Sequence, residues 1–354
     1  MKFKFNANVS RIYDYLLFPR IYYFHKEEEE EEMLEKVIDD QYLAFVDQMS
    51  KDLAPFENEI GQFYQKGAYA QYEFCNILLH AFKIYDYQSE HDYLNDLMKF
   101  DDDEFRNEII KSLLSMESEL NERDLNQSNA IKYINALKID PANKWNLLMM
   151  VQNPKEHLQN FINLLHKVQP YFDQYYQHTL PLLMSTGERL SKMLSGKDTN
   201  DVFKKITKNS IDYDFSGFDE CFLYISSVFP YSLRFISSEE CRFVWGMHME
   251  KSFEKIQEIH ENKMIQRVKI FKSLGDQTRY ETLRLLAQGI TSIKDIASQL
   301  DVSSATISYH INEFLTSGVV IISREKNKKA GYIIDHKRIE EVMDNLKKDL
   351  NFPK

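Results

Sequence analysis

Apolar residues recur along most of this chain at intervals of three and four, the spacing that lines one face of an α-helix. Leu34, Val37, Ile38, Tyr42, Phe45 and Met49 follow it behind a run of six glutamates, Glu27 to Glu32. That run reads as a solvated first turn at the positive end of a helix, with an acidic docking surface as the alternative. Further helices are expected over about 56–66, 69–86, 89–99, 102–120, 128–138 and 142–152. The strongest pattern follows Pro154 and runs to about residue 195, with Pro170 and Pro181 placed to kink or divide it. Two stretches change the period. Lys2-Phe3-Lys4-Phe5 alternates, and the β-branched and aromatic run ECFLYISSVFPYSLRFISSEECRFVWGM predicts strands near 221–228, 232–237 and 241–247, with turns at Pro230 and Ser238-Glu239. The alternating start is expected to join them in a small antiparallel sheet. A charged helical stretch follows, from His248 to Lys272, with no tether-like composition.

The last ninety residues pass through short elements in quick succession. Ile270, Phe271 and Leu274 close a helix at Gly275, Asp276 caps the next as far as Gly289, and Ser292 caps a short helix ending at Leu300. Ser303 then caps a helix in which Ile307, Ile311, Phe314 and Leu315 form a stripe expected to pack on Leu285, Ile296 and Leu300. Its opposite side displays Ala305, Tyr309, Asn312 and Glu313, flanked by Ser304, Thr306, Ser308 and His310. Beyond Gly318 the chain alternates to Ser323, turns at a basic tip with Arg324, Lys326, Lys328 and Lys329, and returns through Tyr332 as a hairpin. A last helix with an apolar face serves packing or dimerisation.

Charge sharpens this division. The chain of 354 residues carries −11 overall, which on its own argues against a nucleic-acid partner. Yet residues 261–354 hold 16 Lys and Arg against 12 Asp and Glu, a surplus of four positive charges. The other 28 basic and 43 acidic residues leave the first 260 positions at −15. The length favours two domains, and only 10 Gly and 8 Pro argue against a turn-rich β-sandwich. Cys75, Cys221 and Cys241 are odd in number and widely spaced, so free thiols in a reducing compartment are expected, with a Cys221–Cys241 redox pair as the lesser reading. The N-terminus lacks the apolar core and cleavage site of a signal peptide, and no stretch approaches the ~20 apolar residues that span a bilayer, so the expected location is the cytoplasm, without a membrane partner.

Ser and Thr are mediocre helix formers, and so many on one helix call for a reason. Short hydroxyl and amide side chains let a helix backbone approach the floor of a DNA major groove while still offering hydrogen bonds to base edges and phosphates. Cationic residues on an adjacent hairpin tip neutralise phosphates, unless they simply form a solvated turn.

The run FKSLGDQTRYETLRLLAQG…SIKDIASQLDVSSATISYHINEFLTSGVV…GYIID resembles the winged helix-turn-helix domain of the ArsR/SmtB family of bacterial repressors, over about residues 263–349. The resemblance implies a homodimer on a palindromic double-stranded DNA operator, its recognition helices entering successive major grooves ~34 Å apart. By position it implies base reading by Ser304, Ala305, Ser308 and Tyr309 behind the cap Ser303, phosphate contacts by Thr306 and His310, and wing contacts by Arg324, Lys326, Lys328 and Lys329. His310 has a second reading, as a residue packed or capping within the domain. Tyr309 stands where the family often has His. The metal-sensing members carry thiols where this chain has Ser292-Ile293-Lys294-Asp295-Ile296, and Asp335-His336 is followed by Lys337-Arg338 without a second His, so no metal or cofactor is expected at those places.

The expected architecture is therefore mainly α. A mostly helical domain with the small antiparallel sheet covers 1–247, a linking helix 248–262, and the winged helix-turn-helix 263–354. The first domain would sense a small-molecule effector or hold the dimer. The aromatics Tyr171, Phe172, Tyr175 and Tyr176 read as core before they read as a ligand pocket, and His157 and His166 are too far apart on a helix for a metal pair. Phosphate loops, paired zinc histidines and a nucleophile elbow are absent from the sequence, so an enzyme is not indicated. The reading that results is a transcriptional regulator, most simply a repressor. The alternative is an interaction scaffold that uses a winged helix as a docking module.

Overall fold

The computed structural model describes residues 1–26, 40–64, 72–115, 126–237, 240–261, 263–324 and 331–352. Helix dominates. Strand β1 (Lys2–Phe5) leads into α1 (Ala7–Leu17), whose first turn is capped by Asn6 accepting from Val9 N at 3.1 Å. The helical layer continues through α2 (Asp40–Leu53), α3 (Glu57–Phe63), α4 (Phe74–Ala81), α5 (Glu90–Lys99), α6 (Asp102–Ser115), α7 (Gln127–Ala136) and α8 (Pro141–Gln152). It ends in the 41-residue α9 (Pro154–Leu194) and the short α10 (Thr199–Ile206). The glutamate run, Glu27 to Glu32, lies outside the described residues.

Helix α9 is not divided at its prolines. Pro170 and Pro181 both lie on its exposed side, where water can hydrate the carbonyls that a proline leaves without a donor. Its inner side buries Leu158, Phe161, Leu165, Val168, Phe172, Tyr175 and Tyr176. The aromatic cluster is thus core: Phe172 meets the rings of Tyr15 and Phe18 edge-on at 5.2 and 5.4 Å. Near the far end, Gly187 leaves room for the ring of Phe5, which a Cβ there would strike at 2.5 Å. In this way β1 lies close against α9.

Strands β2 (Ile211–Tyr213), β3 (Glu220–Ser226), β4 (Leu233–Ser237) and β5 (Cys241–Gly246) follow. The first sheet has the order β1-β3-β5-β4, and the alternating N-terminus joins it as expected. It is mixed, however, not antiparallel. Strand β1 runs parallel to β3, β3 runs parallel to β5, and only β4 is antiparallel to its neighbour β5. The reason lies just after β3. Asp14 on α1 is fully buried and accepts from Ser226 Oγ at 2.6 Å, Ser227 N at 2.7 Å and Ser227 Oγ at 2.8 Å. This holds residues 226–228 against α1 and carries the chain past the tight hairpin that a meander needs, and β5 fills the gap between β3 and β4. Cys221 and Cys241 become register partners across the parallel pair, both buried and both free thiols.

One hydrophobic cluster gathers buried residues from Phe3 to Phe253, and a second gathers Ile270 to Val342. Between them run α11 (Met249–Glu261) and α12 (Lys263–Leu274). Phe253 of α11 packs 5.9 Å from Trp245 in the first cluster, and Ile270 of α12 is buried in the second. Among the described residues, no helix is long and apolar enough to cross a membrane.

Candidate nucleic-acid interface

The second cluster is built by α12, α13 (Gln277–Ala287), α14 (Ile293–Leu300), α15 (Ser304–Ser317), the hairpin β6 (Val320–Arg324) and β7 (Gly331–Ile334), and α16 (His336–Asp349). The starts of α13, α14 and α15 are those that their capping residues dictate. Asp276 accepts from Arg279 N at 2.8 Å, Ser292 from Asp295 N at 3.3 Å, and Ser303 from Thr306 N at 3.0 Å. Two left-handed residues stop the central helices. Asp301, with φ 58°, turns the chain between α14 and α15, and Gly318, with φ 76°, releases it from α15 into the hairpin.

Helix α15 buries Ile307, Ile311 and Phe314 against Ile270, Leu283, Leu286 and Ile296, with Leu285, Leu300 and Leu315 partly buried around them. The opposite side is Ala305, which is exposed, together with the partly exposed Ser308, Tyr309 and Asn312. Ser303, Ser304 and Thr306 are also partly exposed, and the Ser303 and Thr306 hydroxyls lie 2.8 Å apart. The structure therefore brings Ser303, Ser304, Ala305, Thr306, Ser308 and Tyr309 together on one accessible end and side of the helix.

His310 does not join them. It is 7% exposed, near Asp276 and Arg279, and neither ring nitrogen finds a hydrogen-bond partner. Burial pushes its pKa below the usual histidine range, with Asp276 opposing and Arg279 assisting that shift. A neutral, enclosed ring is a poor phosphate contact, so of its two readings the structure takes packing within the domain. The helical wheel carries the reason: His310 lies three residues after Ile307 and four before Phe314, inside the buried stripe. Glu313 is also drawn from the outer face, its carboxylate 3.5 Å from Arg279 on α13. That pairing moves an anion away from the surface a phosphate backbone would approach.

The hairpin pairs Val320 with Ile334, Ile321 with Ile333, Ile322 with Tyr332 and Ser323 with Gly331. Arg324 ends β6, whereas Lys326, Lys328 and Lys329 lie outside the described residues. A third strand was not legible in the sequence. Strand β2 runs parallel to β6, with Ile211 opposite Ile322, Asp212 opposite Ser323 and Tyr213 opposite Arg324, so the sheet has the order β2-β6-β7. Three alternating residues, Ile211-Asp212-Tyr213, are too short a signal to separate from a loop. Among the described residues, no three His, Cys, Asp or Glu side chains converge as a metal site.

Comparison with known proteins agrees with this geometry. Residues 276–321 match the family model of bacterial regulatory proteins of the arsR family. An uncharacterised HTH-type transcriptional regulator of Methanocaldococcus jannaschii is 36% identical over 75 residues, which are 21% of this chain and 83% of that protein. No solved structure matches. With capped helices, a left-handed turn before α15 and a strand pair after it, the C-terminal part of the chain belongs to the arsR family of helix-turn-helix regulatory proteins, and the protein is a DNA-binding transcription regulator.

Proposed function

We propose that the chain is a repressor that binds a palindromic operator as a homodimer, with residues 263–354 reading DNA and residues 1–247 sensing an effector or holding the dimer. The observation that carries this reading is the face of α15 opposite its buried stripe, where Ala305, Ser308, Tyr309 and Asn312 are accessible and no long charged side chain intervenes. Such a face fits the major groove and can present hydroxyl and amide groups to base edges. Ser303 and Thr306 at the helix start are suited to phosphate, because the first turn also offers backbone N–H groups and the positive end of the helix dipole. Arg324 and the lysines at 326, 328 and 329 would neutralise the flanking backbone. A partner of this kind puts the protein's work in the cytoplasm.

The homodimer is supported by apolar side chains left in solvent on neighbouring elements. Val268 on α12 is 61% exposed, as is Leu350 just beyond α16, with Met343 and Phe352 nearby at 42% and 60%. Arg267 of α12 and Asp349 at the end of α16 form an ion pair that links the two helices. Large apolar side chains left in solvent are candidates for cover by a second copy of the chain. Regulation is supported by two connections between the parts: the α11–α12 path and the β2–β6 ladder. A shift in the first 247 residues would therefore move the reading helix along paired strands as well as along the bridging helices.

Salt-titrated retention of random genomic fragments tests the reading. Retention at low salt is expected, with the logarithm of the binding constant declining linearly with the logarithm of salt concentration. No retention at any salt concentration would leave the winged helix as a protein-docking module instead. Lys328→Ala with Lys329→Ala should weaken operator and random DNA alike and flatten the slope. An unchanged slope would remove the wing from the account.

A further inference from the structure

In the connection from α7 to α8, Leu137 is buried in the first hydrophobic cluster and Ile139 packs against it, so that Lys138 between them is turned out into solvent. There it forms an ion pair with Asp301, the left-handed residue between α14 and α15. A cleft of about 280 Å³ lies beside this pair, with Tyr133 and residues 136–139 on one side and Lys294, Ser298, Ser303 and Ser304 on the other. The α7–α8 connection is short and fixed at both ends. Leu137 N–H donates back to the Tyr133 carbonyl at 3.2 Å, and the Asp140 side chain caps α8 by accepting from Ala142 N at 2.8 Å. It therefore moves only with the helical part of the chain that carries it.

We propose that this contact is autoinhibitory: residues 136–139 stand where a sugar-phosphate ridge of DNA would run, so the chain binds DNA only after its two parts separate on this side. The inference rests on the DNA-binding reading above and concerns the regulation of that same surface. When a helix-turn-helix seats its second helix in the major groove, the first helix crosses the backbone, and the groove is roughly 12 Å wide and 8.5 Å deep. A ridge of that height must pass outside α14 and the first turn of α15. A cleft of the size found there holds a small molecule at most, not a run of nucleotides. Asp301 adds to the opposition, because phosphate cannot replace Lys138 as its partner. The pair is exposed to solvent, so it biases the chain toward the closed form without locking it there. A ligand that favours the closed form would release DNA, and one that favours the separated form would promote binding.

Two measurements on the full chain test this, both read as affinity for random genomic fragments at low salt. Lys138→Ala should tighten binding about threefold and Lys138→Glu, which sets two carboxylates against each other, about tenfold, because each raises the fraction of chains open to DNA. Removal of a cation from a surface that touched phosphate would do the reverse, so weaker binding by either variant overturns the proposal, as does unchanged binding by both. In the second measurement, Ala136→Cys and Ser298→Cys place thiols at exposed positions on opposite sides of the cleft, to be joined within one chain by a short bis-maleimide. The three native thiols are buried and remain unmodified. The linked chain should bind DNA at least about tenfold more weakly than the same variant capped with N-ethylmaleimide, which carries the added bulk without the closure. Equal binding by the linked and capped chains, or failure of the link to form within one chain, overturns the proposal. Fragments retained equally by every form reject the autoinhibition alone. Fragments retained by none of them, Lys138→Glu included, reject the DNA-binding reading and the autoinhibition with it.

Discussion

Ile211 stands opposite Ile322 in a parallel ladder, so a strand from the helical part of the chain completes the sheet of the DNA-reading part. Ile322 also packs against the first hydrophobic cluster. The hairpin that would flank DNA is thus held on one edge by β2, and any displacement of β2 is felt there.

Asp212→Pro removes a backbone donor from the middle of β2 and constrains its φ, which should release β6 along that edge. The expected result is faster amide hydrogen exchange at one or more of Ile321, Ile322 and Ser323, while the amides of α13 keep their protection because their core lies in the second cluster. Unchanged exchange throughout β6 would show that the ladder contributes nothing to holding the hairpin.

Burial of His310 gives a pH signature. Its folded pKa lies below the ordinary value of 6.5, so the unfolded chain takes up more protons as the solution acidifies. The associated stability is present above about pH 6.5 and is lost as pH falls through the folded pKa. His310→Leu should therefore flatten the decline in unfolding free energy between about pH 7 and 5. Other titrating groups, such as His157, whose pKa burial lowers to about 4, contribute equally to both proteins and cancel in the difference. The same variant should retain DNA as the wild type does. A loss of retention comparable to that of a surface-lysine variant would return His310 to the phosphate contacts.

Asp14 anchors the turn that makes the first sheet mixed. Asp14→Ala leaves the Ser226 and Ser227 donors buried without an acceptor, at a cost of about 3 kcal/mol in denaturant unfolding. Burial raises the Asp14 pKa from 3.8 to about 6, against the pull of those same hydrogen bonds. A group raised in this way contributes most below its unfolded pKa and loses that contribution as pH rises through the folded one. The gap between wild type and Asp14→Ala should accordingly narrow from about pH 4 to 7. A gap that widens over that range would contradict the sign of the shift.

Ser308 and Tyr309 are accessible on α15 and should carry sequence discrimination. Ser308→Glu or Tyr309→Glu places an anion against the groove, and a ratio of operator to random-DNA affinity falling to about one is expected. Truncation by Tyr309→Ala should cost about 1–3 kcal/mol on operator DNA and little on random DNA, as read by competition binding. Equal losses on both would make Tyr309 a backbone contact.

Local pattern by itself determined the C-terminal elements. Caps at Asp276, Ser292 and Ser303, the stop at Gly318 and the stripe through Ile307, Ile311 and Phe314 are set by contacts within a few residues of chain, and the structure realises each of them. The inward position of His310 was legible in the same helical wheel, although its hydroxyl-rich neighbours pointed the other way. Strand existence near 221–246 was also readable, because β-branched and aromatic runs mark pleated, half-buried surface.

Only the tertiary structure decided which strands pair and in what direction. Ladder partners are remote in sequence, and their choice depends on anchors such as Asp14 to Ser227 that no local period records. The third strand at Ile211, the undivided α9 with both prolines facing water, and the cleft between Tyr133 and Lys294 arise for the same reason. A helix face is encoded by spacing along the chain, whereas sheet order and clefts between parts depend on which distant surfaces meet.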